Sequence, residues 1–216
     1  MHLAQRALYT LIPLLLGLAP GIADPVQQQD IGAASPWAAH IDLAKLDDSP
    51  LSSLLLEIAG FDRIIQLQNV LKEQLAIDVK AADSVTLFGS GKNSQETAVI
   101  VRGKFESLDL SGLSAAPGGP YRGIQLHEGP PWQAGALFLA SPSARELVAG
   151  TSLSAVREAL DVLAGRQKSW RGVSLAAHAK RELNSATALL ALDMKRLGGQ
   201  LEFEADFTRS IRRAWF

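Results

Sequence analysis

Between Asp83 and Phe105 the chain carries two β-rich, largely apolar runs, Ser84–Gly89 and Glu96–Gly103, separated by a polar Ser-Gly-Lys-Asn-Ser-Gln link. This pattern predicts a β-hairpin whose loop is longer than two residues. In the second run Val99 and Val101 fall on one face and Ala98 and Ile100 on the other. Both faces are then apolar, which places the strand in the middle of a sheet.

The same reading extends to the flanks. Trp37 to Leu43 predicts a first strand. Ser49-Pro50 opens a helix that Gly60 closes, and Ile64, Leu67, Leu71 and Leu75 form the apolar stripe of a second helix starting at Asp62. After the hairpin, Glu106 to Leu113 predicts a short helix and Ala115 to Pro120 a loop. Tyr121 to His127, Ala134 to Ala140 and Arg145 to Ala149 predict three successive strands, the last two joined by Ser141-Pro142-Ser143, which should form an antiparallel meander. Thr151-Ser152 caps a helix with Leu153, Val156, Leu160 and Leu163 on one stripe, Arg157, Glu158 and Asp161 facing water, and Gly165 as its stop. Arg166 to Gly172 reads as a polar connection holding Trp170, Ser174 to Leu183 as a helix, and Ala186 to Met194 as an apolar run. Leu201 to Phe207 alternates cleanly, as a half-buried strand does. The fold class these elements define is α+β: a mainly antiparallel sheet with helices packed on one face, close to ferredoxin-like sandwiches.

Composition narrows the classes of function. A chain of 216 residues with 47% hydrophobic content can bury a core. Lys plus Arg (21) against Asp plus Glu (22) leaves a net charge of -1, so no global basic field draws it onto nucleic acid. The absence of cysteine excludes disulfides, thiolate metal sites and thiol nucleophiles. At the N-terminus, His2 and Arg6 precede an apolar stretch, Ala7 to Leu18, and Gly21-Ile22-Ala23 supplies the small residues of a signal-peptidase site. Residues 1–23 are therefore expected to be a cleaved signal peptide and 24–36 a flexible leader. The mature chain is expected in the periplasm or secreted, without a transmembrane segment and away from cytoplasmic nucleotide cofactors.

Two hexads, Ile41-Asp42-Leu43-Ala44-Lys45-Leu46 and Leu192-Asp193-Met194-Lys195-Arg196-Leu197, share an aliphatic, Asp, aliphatic, basic and Leu pattern. Residues 184–216 thus read as the start of a second, incomplete repeat after an α+β domain at 37–183. The strand at Leu201 to Phe207 would then be an edge capable of self-association. The segments Val101-Arg-Gly-Lys-Phe105, Tyr121-Arg-Gly-Ile124, Leu147-Val-Ala-Gly-Thr151 and Ser154-Ala-Val-Arg-Glu-Ala-Leu160 resemble an uncharacterised group of exported bacterial proteins with α+β repeats, over roughly residues 37 to 165. The resemblance implies a C-terminally truncated member and carries no catalytic residue across.

Candidate chemistry is sparse. Gly89-Ser90-Gly91-Lys92 has Thr86 and Asn93 where a phosphate-binding loop needs Gly and Ser or Thr, and it precedes a strand rather than a helix. No Gly-x-Ser-x-Gly nucleophile turn is present. His40 and Asp42, two apart on one strand face, would make half of a metal site, with no third ligand nearby and His127 as a sequence-distant candidate; the reading preferred is polar residues on a solvated strand face with no metal. Asp42 and Asp193, each at a strand end, also suit capping. Glu202, Glu204 and Asp206 read as the wet side of a strand, and Trp132 and Trp170 as core aromatics before ligand platforms. The sequence reading is a non-catalytic exported binding or structural module, with no cofactor, acting on an unknown protein or small ligand outside the cytoplasm. The rival is an exported hydrolase or metal-binding enzyme built on His40, Asp42 and His127.

Overall fold

Strand alternation and turn chemistry organise the chain around one antiparallel sheet. A computed structural model describes residues 30–46, 72, 81–90, 96–105, 108–129, 136–170 and 188–192. The expected signal peptide, the helices expected at 50–59 and 174–183, the strand expected at 201–207 and Trp132 lie outside the described residues, as does all but residue 72 of the helix expected at 62–75. The strands are β1 (Trp37–Asp42), β2 (Ala82–Gly89), β3 (Thr97–Gly103), β4 (Ser114–Ala115), β5 (His127–Glu128), β6 (Phe138–Ser143), β7 (Glu146–Gly150) and β8 (Ala188–Leu192). They form one sheet in the order β4-β5-β6-β7-β3-β2-β1-β8, and every neighbouring pair is antiparallel. Two helices are described, a single turn α1 (Leu43–Leu46) and α2 (Leu153–Leu163). The fold is α+β.

The hairpin β2–β3 occupies the centre, with Val85 opposite Val101 and Leu87 opposite Val99 on one face, and Phe88 opposite Ala98 on the other. α2 lies on the second of these faces. Its Ala155, Val156, Ala159 and Leu160 are buried with Ala38, Phe88, Ala98, Ile100, Ala140 and Val148. The Ser152 hydroxyl accepts the Ala155 N–H at 3.1 Å, satisfying one of the donors a helix start leaves open. At the other end the Arg166 N–H reaches the Asp161 carbonyl at 2.8 Å and the Gly165 N–H the Val162 carbonyl at 2.9 Å, which is a Schellman closure. A smaller apolar cluster of Leu110, Leu139 and Leu147 sits apart from this core.

Several expectations are corrected. Tyr121 to His127 is not one strand. Arg122 (φ 52) and Gly123 (φ 84) are both left-handed, and Tyr121 and Ile124 exchange backbone hydrogen bonds at 2.8 and 2.9 Å. This is a two-residue turn of the primed type, so only His127–Glu128 remains as strand. Residues 108–113 contain a turn closed by Leu113 N–H to Leu110 C=O rather than a helix. Ser141-Pro142-Ser143 belongs to β6, not to the turn, which is formed by Ala144-Arg145. Proline is tolerated there because the β6–β7 register shifts between Ala140 and Ser143, leaving a break in the ladder. Glu158 is buried, not water-facing, because the Ser90 hydroxyl donates to its Oε2 at 2.6 Å. Asp161 is likewise drawn inward by the Tyr121 hydroxyl at 2.7 Å.

The leader and the polar connection also differ from the sequence reading. Asp30 and Ile31 are buried where a flexible leader is expected, and Trp170 is buried in keeping with its reading as a core aromatic. The Ala33 N–H bonds to the Lys168 carbonyl and the Trp170 N–H to the Ile31 carbonyl, each at 2.9 Å. Two segments without alternation thus stabilise each other across the sheet's helix side.

Gly103 ends β3 where the backbones of two segments meet. A Cβ there would run into the Ala81 carbonyl oxygen and lie 2.8 Å from the Ala82 Cα. Neither is a side chain that can rotate away. Gly103→Ala is expected to cost about 1–3 kcal/mol, the range of overpacked cores, in urea-unfolding measurements. Wild-type stability in that variant would show that the two segments separate freely.

Candidate functional site

The strand register places side chains that the sequence separates into rows on the face that carries α2. One row is apolar: Ala38, Phe88, Ala98, Gly150 and Phe138. The next mixes types, running His40, Thr86, Ile100, Val148 and Ala140. The third is wholly polar: Asp42, Ser84, Arg102, Glu146 and Ser143, one residue from each of five adjacent strands. Directly opposed residues have Cβ atoms within about 5.5 Å. A continuous polar row is therefore built into the pairing itself.

Arg102 is its centre. Its Nη1 is paired with Asp30 Oδ2, brought over by the N-terminal segment, and its Nε lies 3.1 Å from Glu146 Oε1. The Arg102 side chain is only 17% exposed and that of Asp30 1%. Burial opposes the guanidinium charge, but the hydrogen bond and charge of Asp30, followed by those of Glu146, more than offset it and hold the group charged well above its ordinary range. Ser143 donates to the other Glu146 oxygen at 3.3 Å. At the row's far end Asp42 accepts the Lys45 N–H at 3.2 Å and pairs with Lys45 Nζ at 3.0 Å, which caps α1.

His40 stands beside this row. Its Nδ1 is 2.9 Å from Thr86 Oγ1, and both residues are buried, as is Asp42, so this is not the solvated strand face expected from the sequence: α2 and the N-terminal segment pack on that side of the sheet. Asp42 shares the strand face of His40, as their spacing requires. His127 does not join them. It lies on β5, five strand steps from β1, which is roughly 24 Å at ~4.8 Å per step. Its charged neighbour is Asp109. Among the described residues there is no group of three or more His, Cys, Asp or Glu placed to hold one metal ion. Of the phosphate-loop-like segment, Ser90 is buried against Glu158 and Gly91-Lys92 lie outside the described residues.

A second polar cluster, which the sequence reading missed, forms where the Tyr121 turn meets α2. Arg122 Nε lies 2.9 Å from Asp161 Oδ1, and the guanidinium groups of Arg122 and Arg157 lie 5.3 and 5.4 Å from the Tyr121 ring centre. The Tyr121 side-chain bond, followed by the Asp161 charge, raises the Arg122 guanidinium above its ordinary value. The signal available in the sequence was Arg-Gly at the turn centre, since Gly at that position is a hairpin-turn marker. Nothing local in the sequence pointed from there to the helix.

Asp109 offers a titratable test of local geometry. The Ser111 side chain, then the Ser111 N–H at 2.9 Å, stabilise its carboxylate and lower its pKa from 3.8. A depressed folded-state value means the contact is fully present above pH 3.8 and is lost as pH falls through the lower, folded value. Ser111→Ala is expected to move the midpoint back toward 3.8, read from the Asp109 carboxyl carbon in an NMR titration. An unmoved midpoint would remove the serine hydroxyl from the explanation.

No protein family matches this chain, and no curated protein does. It is similar to the solved structures of TP0453. Crystal form III superposes with a TM-score of 0.48 at 12% identity, over 83% of this chain and 69% of that one. Crystal form I superposes with a TM-score of 0.46 at 13% identity, over 78% and 62%. Among the described residues no helix is long and apolar enough to cross a membrane.

Proposed function

We propose that this chain is an exported, non-catalytic binding or structural module that works in the periplasm or beyond the cell. The observation that supports this reading is the state of its reactive side chains. His40, Asp42, Asp30 and Glu158 are buried, and each is bonded to a neighbour within the fold: Thr86, Lys45, Arg102 and Ser90. Side chains used in this way hold strands and segments in register. Further helices on the face that carries α2, in a ferredoxin-like layering, and a second repeat beginning at residue 184 belong to the same proposal.

The test is a paired measurement on His40→Ala and Asp42→Ala. The expected outcome is a lower melting temperature in both, with a bound-metal content by elemental mass spectrometry equal to that of the wild type. Stoichiometric metal in the wild type that disappears from either variant at an unchanged melting temperature would replace this reading with a metal-binding enzyme.

A further inference from the structure

Arg157 is a cation without a carboxylate. It stands half-buried on α2, and among the described residues it enters no ion pair, while its Nε is shut off from water without a hydrogen-bond partner. The natural partner is Asp161, one helical turn on and within reach of an i, i+4 pair. That carboxylate is taken: Oδ2 accepts the Tyr121 hydroxyl at 2.7 Å, and Oδ1 lies 2.9 Å from Arg122 Nε. Arg157 is left over the Tyr121 ring, with its Nη2 against the backbone of the turn at Pro117-Gly118, where a Cβ on Gly118 would come within 3.2 Å of it.

A guanidinium carries five N–H donors and keeps its charge, so a half-buried one held only over a ring still wants an acceptor. Two further arginines meet at the same place. Arg122 occupies the left-handed first position of its turn (φ 52), where Asn or Gly is the ordinary choice, and its side chain is 48% exposed. Arg166 is exposed, and its N–H bonds the Asp161 carbonyl at 2.8 Å. Three guanidinium groups against one carboxylate leave the cluster positively charged among the described residues. A planar carboxylate satisfies one guanidinium fork, whereas the several oxygens of a phosphate can be divided among groups from a turn and a helix. We propose that the Tyr121 turn and α2 form a binding site for a phosphate group, with Arg157 as its principal ligand and Arg122 and Arg166 beside it. The proposal rests on the binding-module reading above and gives that module a class of ligand.

The Arg157 Nε–H reports the site directly, since its seclusion from water slows proton exchange and leaves it visible to NMR. The full chain is titrated with inorganic phosphate at neutral pH and constant ionic strength, so that screening stays fixed. Expected is a saturable shift at the Arg157 Nε–H and the Gly118 amide, with the β2–β3 amides unmoved. Arg157→Gln should weaken binding at least about tenfold, as the loss of a hydrogen bond to a charged group does. Arg122→Gln, which releases Asp161 to pair with Arg157, should weaken it as well, so the test stands if one variant fails to fold. Asp161→Asn removes the competing carboxylate and should tighten it. Glycerol phosphate titrated alongside separates the sources: tighter binding than inorganic phosphate assigns an organic phosphate ester, equal or weaker binding the free ion. The absence of a saturable shift, or equal affinity in the wild type and Arg157→Gln, would overturn the proposal. The melting and metal measurements on the His40 and Asp42 variants decide the broader reading independently of either result.

Discussion

Asp30→Ala is expected to cost about 3 kcal/mol of unfolding free energy, the low end of the range for removing one partner of a buried ion pair. The carboxylate is almost wholly buried and faces a guanidinium that is 17% exposed. Without it, Arg102 keeps Glu146 on its Nε but loses the partner that contributes most to holding its charge. The loss should appear as a lower urea midpoint with an unchanged slope, which would place the change in stability rather than in the compactness of either state. A variant as stable as the wild type would mean that the N-terminal segment does not dock on Arg102.

Trp170→Ala is expected to cost about 3–5 kcal/mol, as large aromatic deletions from packed cores do. Trp170 is among the largest fully buried side chains of the described residues. Its ring packs within the main core while its backbone N–H holds Ile31. The deletion leaves a cavity in the core that Ile31 shares, while the backbone N–H bonded to the Ile31 carbonyl stays in place. Thermal unfolding followed by circular dichroism measures the loss. A shift of only a degree or two would show that the indole is replaceable by rearrangement of its neighbours.

Asp30 marks where sequence reading reached its limit, whereas Trp170, read from the sequence as a core aromatic, is buried. The hairpin β2–β3 and the helix α2 were legible because their signals are local: alternation within a strand, a serine at the cap, a glycine just past the end. Trp170 lies between Arg166 and Gly172 in a polar stretch, and Asp30 in a segment rich in glutamine, alanine and proline. Asp30 meets Arg102, 72 residues on, and Trp170 bonds the Ile31 carbonyl, so no short window of sequence contains either pair. Glu158 misled for a related reason. A carboxylate on a helix reads as solvated until its partner is known, and Ser90 enters only through the fold.

The polar row was hidden in the same way. Ser84, Arg102 and Glu146 each looked like an isolated polar position on its own strand, and Asp42 was linked only to His40 and to a cap on its own segment. Register alone aligns them, and a one-residue slip in any strand would have sent its member to the opposite face. By contrast His40 and Asp42 were paired correctly from sequence, because the period of a strand is enough to put them on one face. His127 could not be placed from spacing, since nothing in the sequence gives the number of strands between β5 and β1. The Tyr121 stretch shows the opposite failure. Its alternation resembled a strand, but the Arg-Gly pair at its centre bends the backbone into a turn.

If the polar row and the Asp30 carboxylate that docks on its centre hold the fold, Arg102 and Asp30 must depend on one another energetically. The most direct measurement is a double-mutant cycle on Asp30 and Arg102, with urea unfolding of the wild type, Asp30→Ala, Arg102→Ala and the double variant. Expected are losses in both single variants and a double variant that loses less than their sum by at least about 1 kcal/mol, within the range found for contacting pairs. Single variants within about 0.5 kcal/mol of the wild type, the range of inert surface changes, would contradict a structural role and turn attention to these residues as a site for a ligand.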